Sequence, residues 1–217
     1  MAQIFPKWSN YTVLAITVKA VGGLLAVIFV FAWWFSPKYT DVGFSPDQPV
    51  AFSHKLHAGE LGMDCRYCHN TVERAARAAI PPTSTCMNCH KVVKTDSPEI
   101  MKVAKAHNEG KPIEWVRVHM LPDYAFFDHS VHVAAGVGCA TCHGRVDQMK
   151  KVTQHAPLSM AWCLDCHRNP EPNLRPKSEV VNMAWATDPA FAGYNPAEDP
   201  HRTREVQPPE HCSGCHR

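Results

Sequence analysis

The 217-residue chain has no cysteine to spare. All ten cysteines fall inside five short motifs, which leaves none for a structural disulfide or a free reactive thiol. Long apolar runs are missing as well, apart from one near the N-terminus, and no alternation of strand and helix patterns suggests a parallel sheet. With 18 prolines and 11 glycines, little sequence remains for a conventional core. The formal charge of +2 gives no reason to expect a nucleic-acid partner.

What is present is repeated five times. The motifs are Cys65, Cys68 and His69; Cys86, Cys89 and His90; Cys139, Cys142 and His143; Cys163, Cys166 and His167; and Cys212, Cys215 and His216. Each reads Cys-x-x-Cys-His, the attachment signature of c-type haem. The two thiols form thioethers to the porphyrin, and the adjoining His lies under the iron as proximal ligand. A zinc site built from paired Cys-x-x-Cys units needs no His after each second Cys, and five pairs would leave one unpartnered. A thioredoxin-like redox motif fits poorly with five copies and no βαβ pattern. The expectation is five covalently attached c-type haems. Their porphyrin faces would supply the missing apolar surface, and their irons and propionates make the formal charge a poor guide. Covalent attachment of this kind takes place outside the bacterial cytoplasmic membrane.

The one apolar run extends from Tyr11 to Phe35, broken only by Lys19, and is long enough for one tilted transmembrane helix. Trp8 and Tyr11 at one end, with Trp33, Trp34 and Tyr39 at the other, read as interfacial aromatic belts. Ser36-Pro37 should end the helix. The run exceeds the apolar region of a signal peptide, and no small-x-small cleavage site follows it. Residues 1–36 are therefore read as a cytoplasmic stub and uncleaved anchor, and 37–51 as a linker. A first dihaem repeat with its connecting helix spans 52–111, a second spans 112–170, and 171–217 is a Pro-rich arm bearing the fifth motif. The fold class expected is mostly α and irregular, one N-terminal transmembrane helix followed by a domain with little regular secondary structure.

Two stretches precede the motif pairs: Phe52-Ser53-His54-Lys55-Leu56-His57 and Phe127-Asp128-His129-Ser130-Val131-His132. The three-residue spacing sets both imidazoles on one side of a helical turn, where each can face a different partner. Between the repeats, Ser97 and Pro98 start a helix whose inward face carries Ile100, Val103, Ala104 and His107, and Asn108-Glu109-Gly110 ends it. His107 is read there as a packed side chain. Residues 168–211 carry eight of the prolines with no clear periodicity, so that segment is an ordered arm on a partner or a mobile loop. The fifth motif at its end favours the arm.

Phe-x-His-x-x-His ahead of Cys-x-x-Cys-His resembles the cytochrome c3/c7 class. That resemblance implies that His54, His57, His129 and His132 are distal iron ligands. A more specific likeness lies in the run Trp115-x-Arg117-Val118-His119-x-Leu121-Pro122-Asp123-Tyr124, continued by Gly136-Val137-Gly138, Gly144, Val146-x-x-Met149 and Pro157-Leu158-Ser159-Met160-Ala161-Trp162. Together with five motifs and an anchor, it resembles the membrane-anchored pentahaem cytochrome c subunit of bacterial alternative complex III, a quinol:electron-acceptor oxidoreductase. The resemblance implies an iron–sulfur subunit, polytopic quinol-binding membrane subunits and a monohaem cytochrome c as neighbours.

Fourteen histidines stand in the chain. After the five proximal and four distal ones, a sixth ligand is still needed for one haem, and His119 or Met149 leads, with His155 and Met160 behind. Met in that place would raise the potential, whereas the plain use of Met149 and Met160 is packing against porphyrin. With the irons saturated, no catalytic residue is expected on this chain. It would conduct single electrons from a quinol-oxidising membrane complex to a periplasmic cytochrome or copper protein. Two rivals differ in class: a NapC/NrfH-like quinol dehydrogenase oxidising quinol directly, and a periplasmic multihaem reductase with an open iron site.

Overall fold

The computed structural model describes residues 4–202 and 205–216. Residues 1–3 of the expected cytoplasmic stub, residues 203–204 of the arm and Arg217 lie outside the described residues. The chain divides after Val42 into an N-terminal unit and a larger unit that begins at Gly43.

The N-terminal unit is mainly one helix. A 3₁₀ turn at Lys7–Tyr11 leads into α1, Thr12–Trp34, 23 residues long. At 1.5 Å per residue it extends about 35 Å, enough to cross the hydrocarbon of a bilayer. Its side chains are exposed along its length, an arrangement that suits lipid far better than water. Trp33 packs on Phe29 and Tyr39 at ring-centre distances of 5.8 and 5.4 Å, and the Lys38 ammonium lies over the Trp33 ring. Ser36 turns extended, and Pro37 opens a second short helix, α2, Pro37–Thr40, in the segment expected as linker.

The larger unit is built from short helices joined by turns, with no strand among the described residues and only isolated bridges at Ala125–His216 and Val137–Leu174. In order, α3 is Cys65–Cys68, α4 Thr83–His90, α5 Pro98–Asn108, α6 His129–Ala135, α7 Cys139–His143, α8 Met160–Arg168 and α9 Cys212–Cys215. One turn is all a Cys-x-x-Cys-His motif needs, because residues three and four apart share a helix face. Polar caps start three of these helices: Asp64 accepts from the Arg66 backbone N–H, Asp128 from Ser130 and Ser159 from Trp162. Gly136, at φ 88°, ends α6 in the left-handed conformation that glycine adopts without strain.

Buried apolar side chains are few: Val50, Val103, Val118, Ala156, Leu174 and Val180. Helix α5 buries Val103 against α4, as its pattern requires. His107 is a correction. It is exposed, with Nδ1 3.4 Å from the Thr83 hydroxyl, because it lies one turn past Val103, beyond the packed part of the helix.

The Pro-rich segment packs on its own chain. Successive 3₁₀ turns, three of them with Pro in the first turn, carry it over the second repeat. There the Arg175 N–H donates to the Gly136 carbonyl, and the Cys139 N–H to that of Val180. Arg175 is buried and its guanidinium stacks on Trp185, which also packs on Phe191 at 4.0 Å.

Candidate haem attachment and ligand sites

The two His-x-x-His stretches share one geometry. In the first, Phe52 stacks on His57 at 4.4 Å and meets His54 edge-on at 4.9 Å. In the second, Phe127 stacks on His132 at 4.6 Å and meets His129 edge-on at 4.7 Å. The phenylalanine thus splays the two imidazoles toward different neighbours. The first stretch continues as a single π turn, Lys55–Glu60, and the second as α6. Each is also laid across the opposite repeat. The Lys55 N–H donates to the Met149 carbonyl, and the His129 N–H to that of Ala76.

The imidazoles are held by one nitrogen. Nδ1–H donates to a backbone carbonyl in His69 (Ala79), His90 (Val93), His167 (Pro209) and His216 (Tyr124), at 2.7–3.1 Å. The same holds for His57 (Ser53), His129 (Ala76) and His132 (Asp128), at 2.6–2.9 Å. A carbonyl can only accept, so the proton is on Nδ1 and the Nε2 lone pair is free for a metal.

Two imidazoles bound on opposite faces of one metal ion keep ring centres about 6.3 Å apart, given metal–nitrogen bonds of roughly 2.0 Å. His57 and His90 lie 6.2 Å apart, His132 and His167 6.2 Å, and His129 and His143 6.4 Å with rings nearly parallel. His54 has no carbonyl on its buried Nδ1 and is close enough to His69 for their charges to interact. His119 packs edge-on against His143 at 4.4 Å, too close for a metal ion between them, and its Nε2 is buried without a partner. The ring beside His216 is Tyr124, at 5.8 Å. Of the two residues expected for a remaining sixth position, His119 therefore lies at the third motif, and Met149 is half-buried where its carbonyl anchors Lys55. Met160 is exposed, and the His155 ring crowds Gly144.

Electrostatics favour neutral, metal-competent imidazoles. Burial, then the nearby His119, His129, His69 and His54, holds His143 down to about 3. Burial, then His69 and His57, lowers His54 to about 4. Burial also lowers His132 and His119.

The ten thiols form no disulfides and sit in short helices, Cys89 and Cys212 exposed and the other eight partly buried. They also lie next to one another across motifs. The Cys65 and Cys139 thiols lie beside each other, and their interaction lowers the first and raises the second. Burial, then the neighbouring Cys166 and Cys163, pushes Cys142 up to about 12. Free Cys pairs, each followed by an imidazole and in four of the five motifs by one with an open Nε2, fit covalently bound haem. The carbonyl partners and the role of Phe52 and Phe127 were not read from sequence, although the repeated Phe ahead of each His pair was the available signal.

Comparison with known proteins agrees. A model described as the class III cytochrome C family matches residues 36–120, and one described as cytochrome c552 matches residues 115–199. The multiheme cytochrome c subunit of the menaquinone reductase of Nitratidesulfovibrio vulgaris is 32% identical over 168 residues, covering 67% of this chain and 78% of that subunit. The chain's own cysteine pairs, its imidazole geometry and this likeness lead to one conclusion: the chain belongs to the multihaem c-type cytochromes.

Proposed function

We propose that this chain is a membrane-anchored pentahaem cytochrome conducting single electrons between a quinone-reactive membrane complex and a periplasmic partner. The observation that carries this reading is the spacing of facing imidazoles at 6.2–6.4 Å at the second, third and fourth motifs, where the paired rings would hold an iron from both sides. When bound, the haems supply reversible one-electron chemistry. The chain supplies the rest. His57 with His90, His132 with His167, His129 with His143 and His54 with His69 are the proposed ligand pairs, and carbonyls on Nδ1 fix the ring and tautomer of all of them except His54 and His143. Helix α1 is the proposed anchor, placing residues 43–217 on the periplasmic side. An iron–sulfur subunit, polytopic quinol-binding subunits and a monohaem cytochrome are the proposed neighbours, as in alternative complex III.

The direction of flow has a second reading. The relative from Nitratidesulfovibrio vulgaris belongs to a menaquinone reductase, which favours electrons entering from the periplasm and reducing the quinone. Purification of the intact complex in mild detergent separates the two. Quinol-dependent reduction of a soluble cytochrome or copper protein is the expected result. Quinone reduction driven by a reduced periplasmic carrier would establish the second reading. Fast, inhibitor-sensitive quinol oxidation by this chain alone would overturn both in favour of a quinol dehydrogenase, which the single α1 span, with Lys19 its only ionisable side chain, makes unfavourable.

A further inference from the structure

Resting on the reading that all five motifs carry conducting haems, we infer that they form one unbranched path in the order second, first, third, fourth, fifth. Chain order and path order therefore differ. The second and fifth motifs are the two ports.

Each link stands on contacts between named residues. The second motif meets the first where Asn88 of α4 donates to the Tyr67 hydroxyl of α3 at 3.1 Å, and Cys86 neighbours Cys68. The first meets the third through the crossed His-x-x-His stretches that tie His129 to Ala76 and Lys55 to Met149, with Cys65 and Cys139 side by side next to them. The third meets the fourth at Cys142 and Cys166. Helix α6 spans that step, placing His129 6.4 Å from His143 and His132 6.2 Å from His167. The fourth meets the fifth where the Pro209 carbonyl holds His167 at 2.7 Å and Cys163 neighbours Cys215. The bond from Phe126 N–H to the Cys215 carbonyl and the Ala125–His216 bridge fasten that end. The ends show in exposure too. Of the ten cysteines only Cys89, in the second motif, and Cys212, in the fifth, are exposed.

Each turnover moves one electron from a one-electron donor at one port to a one-electron acceptor at the other. The donor is oxidised, the acceptor is reduced and the interior sites return to their starting state. No proton need move.

The order is testable in the full-length, haem-loaded chain, with haem content assayed first so that a missing haem is recognised separately. His57→Met changes the ligand expected at the second motif and leaves its cysteines in place. Redox titration followed by electron paramagnetic resonance should show the potential of that haem rise and its interaction with a single neighbour alter. Two altered neighbours would make the second site interior and overturn the order. Removing the second site outright, with Cys86→Ala, Cys89→Ala and His90→Ala, should leave magnetic coupling between the remaining four intact. Removing the first, with Cys65→Ala, Cys68→Ala and His69→Ala, should isolate the second haem from the rest. If loss of the second site uncouples the first from the third, the path follows chain order and the inference fails. These readouts are independent of whether the complex oxidises quinol or reduces quinone.

Discussion

At Asp64 a single carboxylate does two jobs. It caps α3 through the Arg66 N–H at 2.8 Å and grips the Arg66 guanidinium at 2.7 and 2.9 Å. Those hydrogen bonds hold its pKa below the usual carboxylate value against the opposing effect of burial. Asp64→Ala should cost about 1 kcal/mol, chiefly the cap, since at 41% exposure the ion pair adds only a few tenths. Because the folded pKa is depressed, this contribution is present above the ordinary carboxylate range and lost as pH falls through the lower folded value. Thermal unfolding of the variant against the parent at neutral and strongly acid pH checks both points, the difference shrinking in acid. Distal histidines make a second prediction at this scale. His132→Met should leave haem attached, because Cys163 and Cys166 carry the attachment, while raising the potential of one haem only. A redox titration with one component displaced upward is the expected result.

Helix α6 shows how an element of seven residues positions two imidazoles. Asp128 caps its start and Gly136 its end, while the Gly136 carbonyl receives the Arg175 N–H from the Pro-rich segment. A Cβ at Gly136 would meet the Arg175 carbonyl, and its φ of 88° disfavours any side chain. Gly136→Ala should therefore cost about 1–3 kcal/mol and disturb the His132–His167 pair. Unfolding followed by haem absorbance would show the loss, with a spectral change at one site before global unfolding. The π turn at Lys55–Glu60 is constrained in a similar way: a Cβ on Gly59 would run into the Asp147 carbonyl, so the two repeats lock together there through backbone.

For the whole molecule, a larger unit with so few buried apolar residues needs its cofactors as core. The intact mass of the mature chain should exceed that of the polypeptide by five haem groups. A mass corresponding to four would remove one motif from the path. The same reasoning makes the haem-free chain poorly folded, and far-ultraviolet circular dichroism of chain produced without haem maturation should show less helix than the loaded form.

Spacing alone marked the five candidate attachment sites, since Cys-x-x-Cys-His places thiols and imidazole on one face of a single turn whatever surrounds it. It also marked the apolar helix at Thr12–Trp34, the helix from Pro98 and the two His pairs, all set by local periodicity and capping. His107 escaped the same logic, because a helical face continues past the point where its partner ends. Tertiary structure decided the rest. The carbonyls that orient seven of the imidazoles come from backbone as distant as Pro209 for His167 and Tyr124 for His216, and no sequence pattern encodes where a carbonyl points. It placed His119 against His143, laid the Pro-rich segment over the second repeat and set the first motif between the second and the third. Neighbour relations of this kind arise from long-range packing, in which the chain returns to the same place from separations that local pattern does not constrain.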